Sequence, residues 1–89
     1  MKALMTGTFS PDSLPREIYD FIDSFNSLYS DVEDWCYEND IESPADEMRK
    51  RGYFQANIDK IHIKESPTHR LESFYKDNGK RTYTFFVKN

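Results

Sequence analysis

Apolar side chains recur at Leu14, Ile18, Phe21, Ile22, Phe25, Leu28, Tyr29, Val32, Trp35 and Cys36, a spacing of three and four kept for more than twenty residues. At about 100° per residue they fill one arc of roughly 140°, which predicts an amphipathic helix with its apolar side on a core. No other stretch of this 89-residue chain constrains the fold as strongly. A chain of that size buries only a little over ~60% of the surface its unfolded form exposes, so the sequence is read as a single domain with one modest core. Aromatic residues, 16% of the chain, supply that core, and the 31% that are charged supply a solvated shell.

The helix has start signals and one internal interruption. Ser13 or Asp12 is placed to cap, Pro15 suits the first turn, and Glu17 complements the positive end of the dipole. Ser30-Asp31-Val32-Glu33 has the form of a capping box, and Asn26, Ser27 and Ser30 are poor interior residues. The helix is therefore either long or broken, and the pattern favours a break at Ser30. A further short helix is read from SPADEMRKRG: Ser43 caps, Pro44 takes the first helical position, Asp46 and Glu47 precede Arg49 to Arg51, and Gly52 closes it.

Strands flank these helices. Lys2 to Phe9 reads as a strand ended by Gly7 and the SPDSLP turn. After Gly52 the period changes to alternation, with Ile61 and Ile63 opposite Lys60, His62 and Lys64 in IDKIHIK, read as one strand. ESPT turns the chain into a hairpin around Asp77-Asn78-Gly79. A two-residue Asn-Gly loop there would mix Arg70, Glu72, Lys76 and Arg81 into the aromatic face. A three-residue loop with Gly79 as a left-handed bulge instead gathers Leu71, Ser73, Tyr75, Tyr83, Phe85 and Val87 on one face. Phe74 and Phe86 remain as exceptions on the other. The expected fold is α+β: an N-terminal strand, a long or broken helix, a short helix and a three-stranded antiparallel segment, with the helices on one face of a small sheet.

Charge is segregated along the chain. Residues 1–47 hold twelve Asp/Glu against two Lys/Arg, a net of −10, and residues 48–89 hold ten Lys/Arg against four Asp/Glu, a net of +6. On a continuous helix Asp20, Asp23, Asp31, Asp34 and Glu38 fall within an arc of about 80°, opposite the apolar arc. They form an acidic stripe extending for roughly 27 Å, with no basic residue read as an i,i+4 partner. Ordinary helix faces intersperse the two signs, so a single-sign stripe suits a basic partner. Tyr37 and Trp35, near the end of the stripe, are candidate aromatic anchors.

The leading expectation is accordingly a non-enzymatic protein that binds a basic surface of a nucleic-acid-binding protein or nuclease component. It would act as an inhibitor or nucleic-acid mimic, a style of small acidic protein found in phages and mobile elements. The alternative is an RNA- or DNA-binding module. It would use Lys60, Lys64, Arg70, Phe74, Lys76, Lys80 and Arg81 on the outward face of the C-terminal sheet, where cations and aromatic rings combine. A net charge of −4 argues against it.

Other chemistry finds little support in the sequence. His62 and His69 are the only histidines, and the pair forms an acid and base only if the fold brings them together. The lone Cys36 lies on the apolar arc and reads as core, so neither a disulfide nor a zinc site is expected. The acidic stretch lacks the turn glycine of an EF-hand, and the three glycines are too far apart for a phosphate loop. No metal, cofactor or catalytic residue is assigned. MKALMTGTFSPDS lacks a signal peptide's apolar run and no segment has the ~20 apolar residues of a membrane span, so a cytoplasmic setting is expected.

Overall fold

A computed structural model of the chain describes residues 1–76 and 78–88. Strand β1 (Lys2–Phe9) leads into helix α1 (Arg16–Glu38) and helix α2 (Pro44–Lys50). Four strands follow: β2 (Phe54–Ile58), β3 (Ile61–Glu65), β4 (His69–Tyr75) and β5 (Arg81–Val87). All pair antiparallel in one sheet of order β1-β5-β4-β3-β2. The α+β class and the order of its elements agree with the sequence reading, and the C-terminal segment contains one strand more.

The extra strand comes from a turn the alternation hid. IDKIHIK is not one strand: Ile58 pairs with Ile61, and Asp59-Lys60 forms the two-residue loop between β2 and β3. Asp59 carries the turn at φ 54, in the left-handed region usually given to glycine or asparagine. With neither residue present, nothing in the sequence marked the reversal.

Helix α1 runs unbroken through Ser30, so the expected break does not form. Val32 and Cys36 beyond Ser30 continue the buried face of Ile18 and Phe25, and this tertiary burial outweighs the weak propensities of Asn26, Ser27 and Ser30. The N-terminus also differs from expectation. Pro15 occupies the cap position without a side-chain hydrogen bond, and neither Asp12 nor Ser13 caps the helix. At the other end Asp40 takes φ 56, and the Ile41 amide donates to the Cys36 carbonyl at 2.9 Å, closing a Schellman-type turn. In α2, Ser43 Oγ accepts from the Asp46 amide at 3.3 Å, and Gly52 follows at φ 92, both as the sequence indicated.

The core has two parts joined by Phe21. In the first, Ile18 lies on Leu71, Tyr83 and Phe85 of the sheet, with Met5, Phe9, Leu14 and Ile22 around them. In the second, Phe25, Val32 and Cys36 pack on Met48 of α2. Leu71, Ser73, Tyr83 and Phe85 share the face beneath α1, the register expected for the three-residue loop, and Gly79 has φ 79. Asp77, part of that expected loop, lies outside the described residues.

Candidate functional site

All five stripe carboxylates, Asp20, Asp23, Asp31, Asp34 and Glu38, are exposed on the uninterrupted α1. Arg16 Nε lies 3.6 Å from Asp20 Oδ2, an i,i+4 pair that the sequence reading missed. Both side chains are exposed, so the pair contributes at most ~1 kcal/mol. Among the described residues, no Lys or Arg forms a salt bridge with Asp23, Asp31, Asp34 or Glu38. Tyr37 is 86% exposed beside the stripe. Trp35 is on the opposite flank, with the Arg51 guanidinium 5.0 Å from its ring, and Arg51 in turn is held at 2.9 Å by Glu47.

The basic residues of the C-terminal half do not form one surface. Lys64 and Arg81 pair with Leu71 and Tyr75 and so belong to the helix side of the sheet, whereas Arg70 and Phe74 pair with Phe86 and Thr82 on the outer side. Lys64 Nζ donates to Asn26 Oδ1 at 3.1 Å and lies 5.0 Å from the Phe25 ring, and burial lowers its pKa. Arg70 donates to Glu65 and Glu72, each at 2.7 Å, which neutralises it locally. Lys76 Nζ sits 5.9 Å from the Phe74 ring, Lys80 is exposed at the mouth of the β4–β5 hairpin, and Lys60 is in the β2–β3 turn.

Nor are the histidines brought together. His62 pairs with Ser73, and His69 is four residues further along β4, which separates the two backbone positions by about 13 Å along the strand alone. One phosphodiester group cannot contact both. His62 faces the helix side near Arg81 and Lys64, and burial together with those two cations lowers its pKa. His69 is part of a fixed turn: Ser66 Oγ accepts from the amides of Thr68 and His69, and His69 Nδ1 lies 2.8 Å from Thr68 Oγ1. Its ring stacks on Phe85, with centroids 5.1 Å apart.

A groove beside the stripe was not foreseen from the sequence. It has a volume of 680 Å³ between α1 and the turn from β3 to β4, and its apolar lining includes Leu4, Phe21, Leu28 and Phe85. Glu17, Asp20 and Ser24 line it from α1, and Ser66, Thr68 and His69 from the turn. Leu4 is 52% exposed because the β1–β5 register shifts between Ala3 and Met5, leaving it as the extra residue of a bulge. The lining residues come from five separate segments of the chain, so local periodicity gave no sign of them.

Cys36 is buried as a free thiol, as its place on the apolar arc implied. Among the described residues, no group of three or more His, Cys, Asp or Glu side chains is arranged to hold a metal ion. No helix among them is long and apolar enough to cross a membrane. Comparison with protein-family models, curated proteins and solved structures finds no match to this chain in any of the three.

Proposed function

We propose that the chain is a cytoplasmic, non-enzymatic interaction protein whose α1 stripe docks on a basic surface of a nucleic-acid-binding protein or nuclease component. The observation that carries this reading is the stretch of four exposed carboxylates, Asp23, Asp31, Asp34 and Glu38, with no salt-bridge partner among the described residues. Like charges aligned on a helix repel by a few tenths of a kcal/mol per pair, a cost that a cationic partner relieves on binding. The stripe follows a straight path of roughly 27 Å, and its charges are spaced 4 to 12 Å apart along the axis at ~1.5 Å per residue. A phosphate-binding groove is a surface of the matching sign, so occupation of that groove by α1 in place of nucleic acid makes the protein an inhibitor.

The test is affinity capture from the native host with the wild-type chain and with Asp31→Lys/Asp34→Lys in parallel. The expected result is a nucleic-acid-handling protein retained by the wild type, lost with the double reversal, eluted by salt and displaced by added nucleic acid. Capture of the same proteins by both chains removes the stripe as the contact.

A further inference from the structure

We infer that the groove beside α1 receives an apolar or aromatic side chain from a lysine- and arginine-bearing segment of the partner, an inference that rests on the stripe reading above. The groove is of a size that holds a single large side chain and its neighbours, since pockets for small ligands run from ~300 to 1,000 Å³. Its interior chemistry is apolar, with Leu4, Phe21, Leu28 and Phe85 among the lining residues, while its α1 side carries Glu17 and Asp20. Asp20 is also the first residue of the stripe, so groove and stripe form one continuous surface. A basic segment lying along α1 therefore passes the groove opening, and the carboxylates there select against an acidic one.

The two parts contribute different quantities. Exposed carboxylates accelerate encounter and change affinity by a few-fold per pair, whereas burying an aromatic ring changes it by roughly 10- to 100-fold, chiefly through dissociation. The bulge at Leu4 fits this role, because it turns an exposed leucine toward the groove at an edge strand where a polar residue would otherwise be expected.

The experiment uses two synthetic heptapeptides as probes, one of alternating lysine and arginine with a central tryptophan and one with alanine in its place. Each is titrated at low salt into the wild type, Ser24→Trp, Ser30→Trp and Asp31→Lys/Asp34→Lys, with backbone amide shifts recorded by NMR. Ser24 lines the groove and Ser30 does not, and both are exposed, so the folds are retained. Expected is about tenfold tighter binding of the tryptophan peptide than the alanine peptide, with shifts at Leu4 and His69. Ser24→Trp should abolish that preference and Ser30→Trp should keep it. Equal binding of the two peptides to the wild type, weakened by the double reversal, overturns the groove inference and leaves the stripe reading in place. A tryptophan preference that survives in the double reversal with undiminished affinity supports the groove and removes the stripe. Binding of neither peptide overturns the groove inference, while the capture experiment still decides the stripe.

Discussion

Two neighbouring hairpins of the same sheet place most of their apolar residues on opposite faces, Phe74 and Phe86 of β4–β5 apart. In β4–β5, Leu71, Tyr83 and Phe85 face α1 and are buried, while Glu72, Thr82 and Thr84 face outward. In β2–β3 the helix side carries Gln55, Asn57, His62 and Lys64, and the outer side carries Ala56, Ile58, Ile61 and Ile63. Neither core cluster contains a residue of β2 or β3 among those described. Helix α1 covers the β4, β5 and β1 side of the sheet, and β3 reaches it through Lys64, which donates to Asn26 and lies over the Phe25 ring. Alternation states which residues share a face; the neighbour's register and the position of the helix decide which face is covered.

The sharpest way to break this comparison is to truncate one residue from each hairpin. Phe85 is 5% exposed and packs on Phe21 with ring centroids 5.2 Å apart, so Phe85→Ala should cost about 3–5 kcal/mol in denaturant unfolding. Ile61 is 41% exposed, and Ile61→Ala should cost less than about 1 kcal/mol. Comparable losses at the two sites would show that the outer isoleucines are covered in solution by another surface.

The turns offer a smaller contrast. Gly79 has φ 79 with open space around its Cα, so Gly79→Ala pays only for the left-handed backbone, about 1–2 kcal/mol. Asp59 already bears part of that cost at φ 54, and Asp59→Gly should stabilise the chain by up to ~1 kcal/mol. Paired unfolding curves check the opposite signs.

This contrast also explains what was legible. Asp77-Asn78-Gly79 announced its turn and the apolar residues on either side selected the register, so β4–β5 was read in full. Asp59-Lys60 lacks any such signal, and the isoleucines of IDKIHIK drew the whole segment into one strand with an assumed core side. The stripe was legible because it depends only on helical period, which is local. The groove was not, because Leu4, α1 and the Ser66–His69 turn meet only in three dimensions. The scattering of Lys64, Arg70 and Arg81 over two faces has the same origin, as it follows from the pairing Lys64 with Leu71 and Glu65 with Arg70.

Acid titration separates the two faces of β3. On the outer face Lys88 Nζ lies 2.8 Å from Glu65 Oε2 and Arg70 Nη1 2.7 Å from Oε1, and the hydrogen bond from Lys88, followed by that from Arg70, lowers the Glu65 pKa against the opposing effect of burial. The native state then binds fewer protons than the unfolded one, so this stabilisation is present above the ordinary carboxylate range and is lost as pH falls through it. Glu65→Gln should remove that component of the acid transition, leaving a flatter midpoint-versus-pH curve below about pH 5.

The smallest effect belongs to His62 on the helix side, and it is the one that tests whether this side of β3 is enclosed. Burial, Arg81 and Lys64 all lower its pKa, so the folded chain resists protonation that the unfolded chain accepts below about 6.5. The unfolded state binds more protons in that window, and stability therefore rises with pH toward neutrality and falls as the imidazole of the unfolded chain becomes charged. His62→Asn should flatten the melting temperature between about pH 5 and 7 while leaving the Glu65 component at lower pH intact. A wild-type curve already flat in that interval would mean that solvent reaches His62 freely, and that the contact of β3 with α1 is confined to Lys64.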